Sequence, residues 1–405
     1  MPMADVILLA HFAPDDLPSF ALGAQWAQMG VVACGALGVA ITIALPRCVS
    51  VRRATWLPAV LSTAISWGAC IALFTGALAL APTSLPTSGC VTAILAAGML
   101  PLSIYAALAS FYQCVGQSNR VLRWAVLAGL LNFTLDLLFI NAVDPAVGVA
   151  CATALCWSGL CMLTLYQTCR QNFVSPSVLW NNFAHRKQLR RPWKAIRRTK
   201  RRALAKIALP DFFSKVGFVG AMGIGFWWLS SALSSKDIAT LAAALNYMNL
   251  VFVLVVATIT AFGITFLGTG VSLNHRRYAV HAGFALALFQ AAFFCISPIA
   301  SYIYFGEISL YFLWAINLST LVVLVDGAAL FLITLLRMYG VATLPPYIRL
   351  LMFPCAAFVI GVSDAVSFNV TALAMLLGNV IVALCLCGVC VIYFRASTSS
   401  RVGVR

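Results

Sequence analysis

Long apolar runs separated by short polar loops dominate the sequence. Eleven of them reach the length of about 20 residues that a helix needs to cross a bilayer. They cover residues 19–45, 56–80, 88–113, 121–141, 146–168, 204–232, 238–270, 279–304, 309–336, 346–363 and 368–394. A twelfth run, residues 3–13, has the right composition but about half the required length. The pattern predicts an all-α integral membrane protein of about twelve transmembrane helices, with a short first helix.

The short first run has a consequence for the start of the protein. A helix that began in mid-bilayer would leave its first backbone N–H groups unpaired in an apolar setting. We therefore expect the natural protein to begin upstream of Met1, by roughly 15–25 residues, enough to complete a span. The alternative is a half-helix whose start is exposed to an internal cavity.

The loops between the runs alternate in charge. On one side lie the arginines Arg47, Arg52, Arg53, Arg120, Arg123, Arg276, Arg277, Arg337 and Arg349, together with the tail residues Arg395, Arg401 and Arg405. The opposite side carries the acids Asp15, Asp16, Asp144, Asp237, Glu307 and Asp364. Because basic loops stay in the cytoplasm, the sequence predicts a multi-pass protein of the cytoplasmic (inner) membrane with both termini in the cytoplasm.

The composition supports this class and limits the partners. Of 405 residues, 62% are hydrophobic and 9% charged, whereas soluble domains have roughly 45–50% apolar and about 25% charged residues. The net charge of +16 lies in the loops, so we expect no nucleic-acid partner. The fourteen cysteines fall almost entirely within spans, where they act as small apolar packing residues. We expect neither a metal nor another cofactor.

The spans divide into two similar halves. Residues 15–53 and 236–277 each contain an acidic loop, a long span rich in glycine and alanine, and a terminal Arg-Arg. Six spans per half make the halves parallel repeats, an arrangement that often encloses a central cavity with alternating access. The predicted organisation is an N-lobe (residues 1–169), a cytoplasmic linker (170–203), a C-lobe (204–395) and a cytoplasmic tail (396–405).

The linker is strongly basic, with ten Lys and Arg residues between Arg186 and Arg202 and aromatic residues interleaved. Such a segment can bind RNA or a regulatory partner. Because it joins two membrane-embedded halves, we interpret it as lying on anionic membrane lipid.

Apart from cations in the first turn of a span, five charged residues fall inside predicted spans: Asp5, Asp136, Asp211, Lys215 and Asp326. Intramembrane ionisable groups are costly and point to function. Asp211 and Lys215 are spaced i, i+4 on one helix face, so they form either a local neutralising pair or a coupling or gating element.

Asp136 has no cation within helical reach, but Asn132 lies on the same helix face one turn away. Counting from the outer acidic loops at 1.5 Å per residue, Asp136 lies ~12 Å and Asp5 ~15 Å into the membrane. Two carboxylates of one half at similar depth would share protons or a small cation. Mutual repulsion and desolvation both favour a carboxyl that can load and release a proton, and Asn132 can donate a hydrogen bond or supply an oxygen ligand to Na⁺.

Four segments resemble the multidrug and toxic compound extrusion (MATE) family of transporters, in particular its DinF-like branch. They are "ADVILLAHFAPDDLPSFALG" in the first span and loop, "FYQCVGQSNRVLRW" in the turn after the fourth span, "LLNFTLDLLFI" in the fifth span and "DGAALFLITLLRMYGVATLPPYI" in the tenth. They occur in the family's order, and the resemblance covers nearly the whole chain.

The resemblance implies a cation-coupled antiporter that exports small organic compounds, often amphipathic cations, while H⁺ or Na⁺ flows in. By position, Asp5, Asn132 and Asp136 match the N-lobe cation site of DinF-like members, and the threonine that lines this site falls at Thr153 or Cys156. Asp326 matches a tenth-span acid of NorM-like members, but their seventh-span glutamate falls near Phe218, so the chain departs from that pattern.

Three other functions are weighed against an exporter. A flippase of lipid-linked precursors, from the same superfamily, generally needs several intramembrane cations to hold a pyrophosphate, and here Lys215 is the one cation beyond the first turn of a predicted span. A membrane-embedded enzyme needs a catalytic centre near an interface, which the sequence does not offer. The third alternative is an inactive transporter. We expect a monomeric, non-enzymatic transporter of a small molecule.

Overall fold

The computed structural model describes residues 2–45, 56–81, 85, 87–141, 144–170, 191–230, 275–305, 308, 310–338, 341, 343–351 and 368–402, with a few single positions between 238 and 259. These residues form helices and their connections, and none of them lies in a strand. The chain has two compact units, Met1–Ala242 and Ala243–Arg405. The predicted all-α class is confirmed for the described residues.

The first unit contains helices α1 to α8. Their bounds are α1 Pro2–Phe12, α2 Leu17–Ala44, α3 Leu57–Leu78, α4 Ser88–Ala97, α5 Met99–Cys114, α6 Ser118–Phe139, α7 Pro145–Arg170 and α8 Arg191–Ser230. The second unit contains α9 His275–Phe305, α10 Leu310–Met338, α11 Leu344–Arg349 and α12 Phe368–Val402. The described positions between 238 and 259 are also helical.

The predicted spans correspond closely to these helices. By length and apolar composition, seven described helices could cross a membrane, and a bent helix pair adds an eighth. The predicted segments 238–270 and 346–363 lie largely outside the described residues. The lobe and linker boundaries remain a prediction.

The bent pair corresponds to the predicted span at residues 88–113, and the bend itself was not predicted. Helices α4 and α5 meet at Gly98 with a bend of 47°. A Cβ at Gly98 would lie 2.7 Å from the Trp157 ring of α7, so only a residue without a side chain allows this close approach.

Part of the predicted linker is helical. Residues 171–190 are outside the described residues, but α8 begins at Arg191 and continues without a break through the predicted seventh span. The first half of α8, residues 191–210, is rich in Arg, Lys, Ala and Leu, which are strong helix formers. Its first proline, Pro192, lies in the first turn, where proline is tolerated.

The turn between α5 and α6 is set by Gly116, which has a positive φ of +81°. The Gln117 N–H donates to the Tyr112 carbonyl at 2.9 Å, and the Gly116 N–H donates to the Gln113 carbonyl at 3.1 Å. This pair of bonds is a Schellman motif, which ends a helix and favours glycine at the left-handed position.

Helix α2 is the centre of the first unit and packs against α3, α4, α5 and α8. Polar side chains connect these helices by hydrogen bonds to backbone carbonyls: Trp67 Nε1 to Ala33 at 2.9 Å, Thr92 Oγ1 to Gly23 at 3.2 Å and Ser103 Oγ to Ala64 at 2.9 Å. Small residues and interhelical hydrogen bonds are the usual means of helix association in a bilayer, since lipid is as apolar as the helices themselves.

In the second unit, α10 packs against both α9 and α12. Tyr247 joins the preceding helical segment to α9. Its hydroxyl donates to the Phe293 carbonyl at 2.6 Å, and the two rings meet edge to face at 5.6 Å.

Two glycines of α2 offer a matched test of this packing. A Cβ at Gly23 would lie 2.6 Å from the Ser88 carbonyl oxygen and 2.7 Å from Val91 Cγ1, whereas a Cβ at Gly35 would meet nothing within 4 Å. Both Gly→Ala changes gain about 1 kcal/mol of helix propensity, but overpacking at Gly23 costs ~1–3 kcal/mol. We expect Gly23→Ala to melt below the wild type and Gly35→Ala at or above it, by tryptophan fluorescence in detergent. Equal melting temperatures for the two variants would contradict the close α2–α4 contact.

Candidate functional site

Helix α6 has an unusual distribution of side chains, because it buries the polar residues Asn132 and Asp136 and exposes large apolar residues. The buried stripe is Trp124, Ala128, Asn132 and Asp136, spaced four residues apart. The large apolar side chains Leu127, Leu130, Phe133 and Leu138 are exposed. A soluble helix has the opposite pattern. The arrangement is suited to a helix with lipid on one side and a polar site on the other.

Asp5, Asn132, Asp136 and Thr153 meet in one buried cluster. Each is at most 3% exposed, and they come from α1, α6 and α7, which pack against one another. We call these four residues the carboxyl–amide cluster. The structure brings together the three residues that the sequence predicted as a cation site, although Asp5 lies 127 residues before Asn132 in the chain.

The side-chain amide of Asn132 connects the two carboxyl groups. Its nitrogen donates to Asp5 Oδ1 at 2.8 Å and to Asp136 Oδ2 at 2.7 Å. An amide nitrogen carries two hydrogens and a carboxylate only accepts, so both hydrogens of Asn132 are used. The two acids are held close to each other by a neutral donor.

Thr153 of α7 completes the cluster. Its hydroxyl lies 2.9 Å from Asp5 Oδ2 and 3.2 Å from Asn132 Oδ1. From the sequence, either Thr153 or Cys156 could be the residue that lines the predicted cation site. Cys156 lies one turn further along and its thiol donates to the Ala128 carbonyl at 3.1 Å, so the hydroxyl that contacts the cluster is that of Thr153.

The cluster is closed on the side of the α6 N-terminus by packed side chains. Tyr112, Trp124, Ala128, Cys156 and Leu160 form a buried core there, and the rings of Tyr112 and Trp124 meet edge to face at 5.0 Å.

One oxygen of the cluster is not compensated. Asp136 Oδ1 is buried and has no hydrogen-bond partner among the described residues. A buried carboxyl oxygen without a partner is costly, and it is available to a proton or a cation.

The remaining intramembrane charges form two ion pairs. Asp211 and Lys215 are joined on α8 by a 3.0 Å contact between Asp211 Oδ2 and Lys215 Nζ, as their spacing predicted. Both side chains are almost fully buried. The pair is electrically neutral overall, whatever its role.

Asp326 has a partner that the sequence analysis missed. Arg349 Nη2 lies 2.6 Å from each Asp326 oxygen, and Arg349 Nε donates to Oδ1 at 2.9 Å. Both residues are almost completely buried. The sequence predicts Arg349 to be a loop cation, but in the structure Arg349 ends the short helix α11 and reaches Asp326 of α10. One signal was available: Arg349 stands between the apolar stretches "PPYI" and "LLMF", where an arginine needs a partner.

No protein-family model matches the sequence, and no curated protein matches it. Solved structures do. An inward-facing multidrug resistance MATE family transporter of the MOP superfamily aligns at 17% identity with a TM-score of 0.69, covering 99% of this chain and 94% of that one. A eukaryotic MATE transporter aligns at 14% identity with a TM-score of 0.75, covering 96% and 90%. A MOP superfamily transporter from Pyrococcus furiosus, for which a reverse polarity of the binding pocket suggests a different function, aligns at 16% identity with a TM-score of 0.70, covering 95% and 89%.

At these identities the likeness shows the fold. The chain has the two-lobe helical fold of these transporters along nearly its whole length, which confirms the predicted fold class. The branch within that group remains a proposal.

The Asp326–Arg349 pair generates a stability prediction. Arg349→Gln and Asp326→Asn each remove a bidentate partner from a buried charge, at a cost of ~3–5 kcal/mol. The double change Asp326→Leu with Arg349→Met replaces both by apolar groups and is expected to be near neutral. Apparent melting temperatures in detergent should therefore fall for each single variant and recover in the double variant. If the melting temperature of the double variant falls by as much as the two single variants together, the two residues do not stabilise the fold through their ion pair.

Proposed function

We propose that this protein is a secondary active transporter that exports small organic, amphipathic or cationic compounds across the cytoplasmic membrane in exchange for a coupling cation. The observation that carries the proposal is the carboxyl–amide cluster, two acids buried in a membrane helix bundle with no basic partner in the described contacts of the cluster. The fold supports it, because solved neighbours include MATE transporters in inward-facing and outward-facing conformations.

The hydrogens of the cluster favour a proton as the coupling ion. Four hydrogen-bond contacts are described within it. With both acids ionised, the amide supplies two hydrogens and the threonine hydroxyl supplies one. Three hydrogens cannot serve four contacts.

A proton on Asp5 Oδ2 removes the shortage. It is donated to Thr153 Oγ1, and the hydroxyl hydrogen then points to Asn132 Oδ1, so every contact has its own hydrogen. Loss of the proton leaves one contact unsatisfied and places two negative charges on the same amide. The repulsion and the desolvation of the second charge favour a rearrangement of α1, α6 and α7 or the uptake of a new proton. Na⁺ is the alternative coupling ion, with Asp136 Oδ1 as an available ligand.

The available driving force is sufficient for substantial export. One pH unit contributes ~1.4 kcal/mol per proton, and a membrane potential of 100 mV adds ~2.3 kcal/mol per charge moved. A neutral substrate exchanged for one proton would gain both. A monovalent cation exchanged one for one would gain the pH component only, about a tenfold gradient per pH unit.

We also propose that the transporter belongs to the DinF-like branch, because of the positions of its cluster residues. Asp5, Asn132, Asp136 and Thr153 stand where the resemblance to that branch puts its N-lobe site, whereas the position of the NorM-like glutamate falls near Phe218, an apolar residue that is 3% exposed. The alternation of loop charge supports an inner-membrane location with both termini in the cytoplasm, and we propose that the protein acts as a monomer.

A flippase of lipid-linked precursors is less well supported. It would need cations available to a pyrophosphate, but Lys215 and Arg349, two of the three cations that are buried among the described residues, form ion pairs with aspartates. The third is Arg337 at the end of α10. The described residues therefore favour a cation-coupled exporter.

Removing either acid tests the coupling. Asp136→Asn and Asp5→Asn should each abolish the uptake of ethidium driven by a pH gradient in inside-out vesicles, and the double variant should be no worse than either single one, since the two acids share one proton. Asp144→Asn is the matched control, because Asp144 is exposed at the start of α7. Infrared spectra of the purified protein should show a carboxylic acid band that titrates with pH and disappears in Asp5→Asn. Wild-type transport by Asp136→Asn, or independent and additive losses, would rule out a shared site, and transport that follows a Na⁺ gradient alone would replace the proton by Na⁺.

A second test separates Thr153 from Cys156. Thr153→Val keeps the shape of the side chain but removes the hydroxyl that contacts Asp5 and Asn132, so we expect it to impair proton-driven transport severely. Thr153→Ser should restore it, because the hydroxyl returns. Cys156→Ala should transport normally, since its thiol contacts a backbone carbonyl outside the cluster. A Thr153→Val variant with an unchanged pH dependence would show that the hydroxyl takes no part in proton binding.

A further inference from the structure

The first half of α8 has two faces with different surroundings. Lys200 and Arg201 face the rest of the first unit: Lys200 Nζ lies 5.2 Å from the ring centre of Trp56, and Arg201 Nη2 donates to Ser66 Oγ at 3.2 Å. Leu204 and Ala208 continue the same face into a buried core. These contacts attach the helix to α3 along several turns.

The opposite face carries a second set of cations. Arg198, Arg202 and Lys206 are exposed and follow one another at intervals of four residues, so they form a single stripe on the helix surface. We call these three residues the basic stripe. The sequence from Arg191 to Pro210 contains no acidic residue, so the helix itself offers the basic stripe no counter-charge.

The basic stripe continues directly into an apolar one. Leu209 and Phe213 lie three and seven residues after Lys206, on the same face, and are 42% and 52% exposed. At 1.5 Å per residue, the cations extend over ~12 Å of the helix, and the exposed apolar residues follow within the next ~10 Å. A change from exposed cations to exposed large apolar groups along one helix face is expected where a helix passes from lipid headgroups into hydrocarbon.

We propose that the basic stripe, with Leu209 and Phe213, is a binding site for an anionic phospholipid. Arg202 and Lys206 contact the phosphate of the headgroup, Arg198 contacts a second acidic group or a neighbouring headgroup, and the acyl chains lie along Leu209 and Phe213. The site is independent of the transport proposal. It accounts for the split of the α8 cations into one set that attaches the helix to the protein and another that is exposed.

The combination of charge and apolar surface selects a lipid over other anions. Free phosphate or RNA would be attracted by the cations but would gain nothing from Leu209 and Phe213. A phospholipid uses both. At about 1 kcal/mol per cation near a membrane surface, three cations correspond to a preference of roughly 100-fold for an anionic over a zwitterionic lipid.

The test measures lipid retention by the full-length protein. Protein purified in detergent is equilibrated with equal amounts of phosphatidylglycerol and phosphatidylcholine, and bound lipids are counted by native mass spectrometry. We expect a retained phosphatidylglycerol in the wild type and its loss in the triple variant Arg198→Gln, Arg202→Gln, Lys206→Gln. The matched control replaces three exposed arginines of other helices, Arg120, Arg123 and Arg170, by glutamine. It has the same net charge and should retain the lipid.

Further arms distinguish the sources of the phosphate. The pair Leu209→Ser and Phe213→Ser should weaken phosphatidylglycerol binding without changing any weak binding of soluble glycerol phosphate. Equal loss of lipid in the basic-stripe variant and in the control variant would overturn the proposal, as would a wild type that retains both lipids equally. Displacement of the lipid by glycerol phosphate or by a short RNA at matched concentration would also overturn it in favour of those ligands. Melting temperatures of all variants are measured to exclude unfolding as the cause of lost lipid. We expect them to be unchanged, because every replaced side chain is exposed.

Discussion

The cost of holding two carboxyl groups inside an apolar helix bundle determines the arrangement of the first unit. A buried carboxylate loses its hydration and must be compensated by hydrogen bonds, a cation or a proton. Asn132 provides both of its amide hydrogens, one to each acid, and Thr153 provides a third. This compensation requires α1, α6 and α7 to meet at one point. The burial of Asn132 and Asp136 on one face of α6 follows from the same requirement.

Part of this site could be predicted from the sequence because it depends on local spacing. Asn132 and Asp136 share a face of any helix, and Asp5 falls at a similar depth by simple counting, so the meeting of the three residues was expected. Thr153 and Cys156 are three residues apart on nearly the same face of α7, so the choice between them depends on the position of α7 along its axis to within about one turn, which no local pattern fixes. The hydrogen bond from Thr153 to Asp5 is a tertiary contact, and only the packed helices decide it.

The features that the sequence did not predict also depend on contacts between helices. The bend at Gly98 depends on the position of the Trp157 ring, and the burial of Arg349 depends on Asp326 in another helix. Considered alone, Gly98 is an ordinary glycine in a span and Arg349 an ordinary arginine near a loop. Neither pattern indicates the contact that the residue makes. By contrast, the i, i+4 pair of Asp211 and Lys215 was predicted, because both partners lie on one helix and their distance follows from helix geometry. Helix periodicity therefore gave the spans and the local pairs, and the contacts between helices needed the structure.

Asp326 and the acids of the carboxyl–amide cluster differ in how their charge is compensated, and this difference bears on mechanism. Asp326 has a guanidinium bound to both of its oxygens, held by the short helix α11 of the same unit. A tethered cation that already binds both oxygens leaves little reason for Asp326 to exchange it for an ion from solution. The carboxyl–amide cluster has only neutral donors, one hydrogen fewer than its contacts require, and an Asp136 oxygen without a partner among the described residues. Its balance changes when a proton or small cation arrives or leaves. A group that exchanges ions must be incompletely compensated in at least one state, and by that criterion the cluster, and not Asp326, is where a coupling ion would act.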